Sequence, residues 1–157
     1  MRGLILGAIA GAAGTMALDY TSYVDMAVRG RASSSLPADV IRSLAEKAGI
    51  AALSVADDQA DASTKNRRTA LGALAGYKIG IVLGALYGFA SYPSTEKRGI
   101  VFRSIALTAL AMASSDIPAT LLGLTNPAEW GTSGWIGDLV PHAAYGLVTA
   151  AVFEAIA

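Results

Sequence analysis

Seven ionisable side chains interrupt stretches that are otherwise apolar: Asp19, Asp25, Lys78, Asp116, Asp138, His142 and Glu154. Asp138 and His142 are four residues apart, so on a helix they share a face. Carboxylates beside an imidazole can relay protons or guide an ion, because histidine titrates near neutral pH. The same pair could supply two corners of a metal site, but a metal needs at least a third ligand. With one histidine and no cysteine, a metal cage is not expected, and disulfides and thiol nucleophiles are excluded. No G-x-S-x-G, P-loop or H-E-x-x-H pattern occurs, so no catalytic residue and no cofactor is assigned.

The composition says what must position these groups. The chain has 157 residues, 54% hydrophobic and only 15% charged, too little polar surface to cover a soluble domain of this size. Twelve basic and twelve acidic residues balance, so no net field argues for nucleic acid. The expectation is an all-α integral membrane protein. Its partners are the lipid bilayer and itself or another membrane subunit.

Four apolar segments, at about 3–28, 69–92, 99–124 and 132–157, are each long enough to span ~30 Å of hydrocarbon. Together they predict a single membrane domain over 1–157, a four-helix transmembrane bundle. The first segment also resembles a signal peptide, with Thr15-x-Ala17 as a cleavage pattern. Its apolar character resumes after Asp19 and runs to Val28, which is longer than a signal core.

The one long polar region, 29–68, separates the first two spans. Ser33–Ser35, Pro37 and Asp39 read as a helix start. Val40, Ile41, Leu44, Ala48, Ala51 and Val55 continue as a helical stripe opposite Arg42, Glu46 and Lys47. This is an amphipathic surface helix, lying on the membrane or packed on its own bundle. The Asp57–Asp61 run reads as a solvated acidic face. Residues 91–98 and 125–131 are turns, and Trp130 and Trp135 suit an interfacial belt.

Arg29, Arg31, Arg42, Lys47, Lys65, Arg67 and Arg68 flank one side of the spans. Arg2, Lys97, Arg98 and Arg103 flank the other. The excess predicts a cytoplasmic loop 29–68 in a plasma membrane protein. It also fixes depths. Asp19, Asp25, Lys78, Asp116, Asp138 and His142 all fall in the half nearest that loop side, and Glu154 at the opposite end. Asp19 and Asp116 are each at a depth to neutralise Lys78. Asp19, Lys78, Asp116, Asp138, His142 and Tyr145 form the expected polar cluster. Pro118 and Pro141 free backbone carbonyls beside it.

Glycines give the other pattern. Gly3, Gly7 and Gly11 recur in the first span; Gly72, Gly76, Gly80, Gly84 and Gly88 recur in the second. In lipid, small residues let helix backbones approach closely. The shorter row is the natural mate of the longer one within the chain; a second copy is the alternative mate. Lys78 lies about 160° from both Gly76 and Gly80, so the lysine and glycine faces oppose. A faint repeat aligns Ile79–Tyr87 with Tyr145–Phe153, with Asp19 set against Asp116, as if two hairpins descended from one.

The leading reading is a small polytopic protein acting through close glycine-mediated helix packing, as a homo-oligomer or an accessory subunit. An ion- or proton-coupled transporter or channel using the polar cluster is the alternative. A membrane-embedded enzyme is the third reading.

Overall fold

The structure, a computed structural model, describes residues 1–92 and 99–157. The turn and helix start expected over 93–98, with Lys97 and Arg98 of the charge count, lie outside the described residues. Among the described residues every regular element is helical. They are α1 (Arg2–Arg29), α2 (Leu36–Lys47), α3 (Ala51–Ser54), α4 (Ala62–Ser91), α5 (Ile100–Leu121) and α6 (Thr132–Ile156), with a 3₁₀ turn at Pro127–Glu129. Four of them, α1, α4, α5 and α6, are long and apolar enough to cross a membrane.

The helix limits follow local chemistry. Helix α4 starts seven residues before the expected Thr69, because Asp61 caps it and accepts the Thr64 N–H at 2.7 Å. That bond holds the Asp61 carboxyl below its ordinary range. Helix α5 stops before the expected 124. The Leu124 N–H turns back to the Ala119 carbonyl at 3.0 Å and the Gly123 N–H to Thr120 at 2.9 Å. This closure needs the left-handed backbone that Gly123 supplies at φ 70°.

The same closure divides the polar loop. The stripe from Val40 to Val55 is not one helix. At Gly49, φ 71°, the Ile50 N–H returns to the Ala45 carbonyl at 2.8 Å and ends α2 at Lys47. Ala51–Ser54 then make only the short turn α3. The serine signal is also shifted: Ser35 precedes α2 without a side-chain cap, while Ser34 Oγ accepts the Leu36 N–H at 3.2 Å.

The four long helices are antiparallel neighbours in the order α4, α1, α6, α5, and α4 meets α5 only slightly. Helix α6 still reaches α4 through side chains, because the Tyr87 and Phe153 rings meet edge to face at 5.2 Å. The core is Leu107, Ala111, Tyr145 and Ala150, with Leu18, Leu83 and Tyr87 against it. Many large apolar side chains point outward, among them Leu74, Phe89, Ile105 and Leu121. Helix α2 rests on the start of α4, its Pro37 seated on Gly72.

Candidate functional site

Three members of the expected cluster gather between α5 and α6. The His142 Nδ1 lies 2.8 Å from the Asp138 backbone carbonyl and 3.3 Å from Asp138 Oδ1. A carbonyl only accepts, so Nδ1 carries the hydrogen and Nε2 is left for any other partner. The other carboxylate oxygen of Asp138, Oδ2, is enclosed and has no hydrogen-bond partner among the described residues. Across from it, Asp116 Oδ1 accepts from Ser115 Oγ at 3.1 Å and lies within electrostatic reach of both Asp138 and His142. Pro118 and Pro141 sit inside helices that continue past them. Neither proline carries an N–H, so the carbonyl four residues earlier lacks its helical donor. Among the described residues no three His, Asp or Glu side chains stand close enough to hold a metal ion.

The other expected members lie elsewhere. Tyr145 is 1% exposed and donates its hydroxyl to the Gly80 carbonyl at 2.7 Å, so it joins a glycine rather than a carboxylate. Asp19 is half-buried beside the Tyr77 hydroxyl. Lys78 is exposed, and among the described residues no carboxylate comes within 4.0 Å of it. The expected pairing of Lys78 with Asp19 or Asp116 is therefore not made within the chain. The reason is rotational. Gly80 faces inward, and two residues along a helix turn the side chain to the opposite side.

The glycine rows meet inside the chain. A Cβ added to Gly3 would lie 2.5 Å from the Gly88 carbonyl oxygen, and one on Gly11 would lie 2.5 Å from that of Gly80. Gly7 and Gly84 are in contact between these two pairs. The row does not act as a unit, however. Gly72 touches α2, and Gly76 has nothing within 4 Å. Two further glycines pack as tightly: Gly14 on Tyr145 and Thr149, and Gly146 on Ser104 and Thr108.

Two arginine nodes on the loop side escaped the sequence reading. Arg29 holds Asp25 through Nε at 2.6 Å and reaches across to Ser133 Oγ at 2.7 Å, tying the end of α1 to the start of α6; Arg31 also binds Asp25. Asp25 is thus a paired carboxylate at a helix end. Arg68 is 2% exposed and gathers the loop beneath it. Its Nε donates to the Leu53 carbonyl at 2.9 Å, Nη1 meets Asp57 at 2.6 Å, and Nη2 donates to the Val55 carbonyl. Asp57, read as part of a solvated patch, is partly used here. Its partner is a backbone-binding arginine whose targets lie 13 and 15 residues away, for which no short motif exists.

Compared with known proteins, the chain matches no family model, and no significant match to a curated protein or to a solved structure is found.

Proposed function

We propose that this chain is a four-span integral membrane protein that works by assembling with another membrane chain. The observation behind this reading is Lys78. It stands in the middle of a long apolar helix, on a face shared with Leu74, Ile81 and Val82, and among the described residues no carboxylate comes within 4.0 Å of it. A charge facing hydrocarbon costs several kcal/mol, about 2.5–3.5 on insertion scales, and such residues are found paired or facing a protein interior. A neighbouring chain with a carboxylate at that depth removes the cost. The lysine and arginine excess supports a cytoplasmic position for loop 29–68.

The test is a photo-reactive amino acid at position 78, irradiated in native membranes. A protein adduct of defined mass is expected. Capture of lipid alone would overturn the assembly reading.

A second reading, proton or ion passage, is supported by the unpartnered Asp138 Oδ2 beside His142. In that case the protein in liposomes dissipates a pH or ion gradient, and Asp138→Asn stops it. Absence of flux for protons and alkali ions would exclude this reading for those ions.

A further inference from the structure

Resting on the assembly reading, we infer that the partner of Lys78 is Asp19 of a second copy of this chain, in an isologous dimer whose two-fold axis runs along the membrane normal.

The carboxylate is found first by elimination. Asp25 is held by Arg29 and Arg31. Asp138 is occupied by His142, and Asp116 shares that group between α5 and α6, away from α4. Glu154 lies at the far end of α6. Asp19 remains, and among the described residues its neighbour is the neutral hydroxyl of Tyr77.

Depth comes second. The contacts pair 3 with 88, 7 with both 84 and 88, 11 with both 80 and 84, and 15 with 80, so level residues of α1 and α4 have numbers that sum to between 91 and 95. Asp19 is then level with positions 72 to 76, and the backbones of Asp19 and Lys78 differ by two to six residues, about 3–9 Å of rise. Helical side chains lean toward the N-terminus of their own helix. Helices α1 and α4 are antiparallel, so Asp19 and Lys78 lean toward each other in depth and close that gap. Tyr77, adjacent to Lys78 in sequence, lies within electrostatic reach of Asp19.

The third argument is direction. Lys78 matches Asp19 in depth but points to the outside of α4. The α1 face around Asp19 is open as well, with Met16, Tyr20 and Tyr23 exposed. A copy standing parallel in the same membrane has the same depths. A two-fold rotation then sets Lys78 of each chain against Asp19 of the other, giving two ion pairs from one contact. The apolar neighbours Leu74, Ile81 and Val82 of α4 would meet Met16, Tyr20 and Tyr23 across that contact.

Charge reversal with mixing tests this. Two differently tagged copies are co-expressed, solubilised in mild detergent, and scored for co-purification. Lys78→Glu paired with itself, and Asp19→Lys paired with itself, each place like charges together and should lose at least tenfold in recovery. Lys78→Glu co-expressed with Asp19→Lys restores opposite charges at both contacts only if they lie between chains, and recovery should return to the wild-type level. Retained helical circular dichroism in each variant shows that it is folded. The neutral pair Lys78→Gln and Asp19→Asn provides a milder loss in case a reversal misfolds. The dimer is overturned if the single variants self-associate like the wild type, or if the mixture does not recover. If the mixture fails while position 78 still photo-crosslinks a protein of another mass, assembly stands and the partner is a different chain.

Discussion

The two long-helix hairpins, α1 with α4 and α5 with α6, are built on one local device but packed to different densities. In the first, Gly80 of α4 lies on Thr15 of α1, whose hydroxyl donates back to the Gly11 carbonyl at 2.9 Å. In the second, Gly146 of α6 lies on Thr108 of α5, whose hydroxyl donates back to Ser104 at 2.8 Å. Gly80 and Gly146 are equivalent in the repeat that aligns Ile79–Tyr87 with Tyr145–Phe153. The aromatic ends of that repeat, Tyr87 and Phe153, touch each other. The first hairpin then adds Gly3, Gly7, Gly84 and Gly88 along the same crossing, where the second has side chains. The junction between hairpins is equally uneven. Gly14 lets α6 come close to α1, while Leu107 and Leu83 fill the space between α5 and α4, which barely meet. The difference teaches that glycine number sets how closely two helices approach, while the threonine–glycine contact is the feature common to both hairpins.

The largest effect should come from filling the first crossing. A Cβ on Gly84 meets the Gly11 Cα at 2.5 Å, backbone against backbone, where nothing can swing aside. Overpacking of this kind costs about 1–3 kcal/mol and occasionally more. Gly84→Leu should abolish a stable fold, and Gly84→Ala should lower the thermal midpoint by several degrees, as read by circular dichroism in detergent. Gly146→Ala should also destabilise, because its Cβ would meet the Ser104 carbonyl oxygen at 2.4 Å, but less, because α5 and α6 can part there without separating further glycine pairs. Equal losses in the two hairpins would refute the contrast.

Next comes the link between them. Tyr145→Phe removes the hydrogen bond to Gly80 without changing the ring. The expected cost is ~0.6–1 kcal/mol, the usual range for hydrogen bonds inside membrane and soluble proteins. In contrast, Gly76→Ala should be neutral or stabilising by up to about 1 kcal/mol, since the added methyl meets open space and glycine weakens a helix. A marked loss at Gly76 would mean that this open face is covered in the assembled protein, and would itself support a partner on α4.

The smallest effect lies at the start of α4. The carboxyl of Asp61 titrates below its unfolded value, because its charged form accepts the Thr64 N–H. Its stabilisation is therefore present above about pH 4 and is lost as the pH falls through the lowered folded value. Asp61→Asn keeps a capping oxygen and should flatten the acid limb of a stability curve below about pH 4. If the limb is unchanged, other carboxylates carry it.

Much of this architecture was legible in the residue order. Four apolar segments of 24 to 26 residues with few charges read as long apolar helices, and four such helices, of 22 to 30 residues, occur in the structure. Antiparallel glycine rows at matching spacing pointed to α1 against α4. What was not legible was rotation. Depth along a helix follows from counting, so six ionisable groups could be assigned to one half of the bundle. Which of them meet depends on the direction of each face, and this separated Lys78 and Tyr145 from Asp116, Asp138 and His142. The repeat register shows the same limit. Asp19 matched against Asp116 looked natural by residue type, yet the contacts match Thr15 with Thr108, which brings Asp116 level with Tyr23 one turn away.

The sequence by itself determined the number, length and apolar character of the long helices. It also set the glycine spacing, and hence the possibility of a close crossing. Each is a property of consecutive residues. The tertiary structure alone decided that Gly80, Gly84 and Gly88 turn inward while Gly76 stays open, that Arg68 gathers a loop 13 to 15 residues away, and that Lys78 faces outward, with no carboxylate among the described residues within 4.0 Å. The reason is that a helix carries every side chain at a fixed angle. Once the glycine face is buried against α1, the opposite face is committed to the outside, whatever residue stands there.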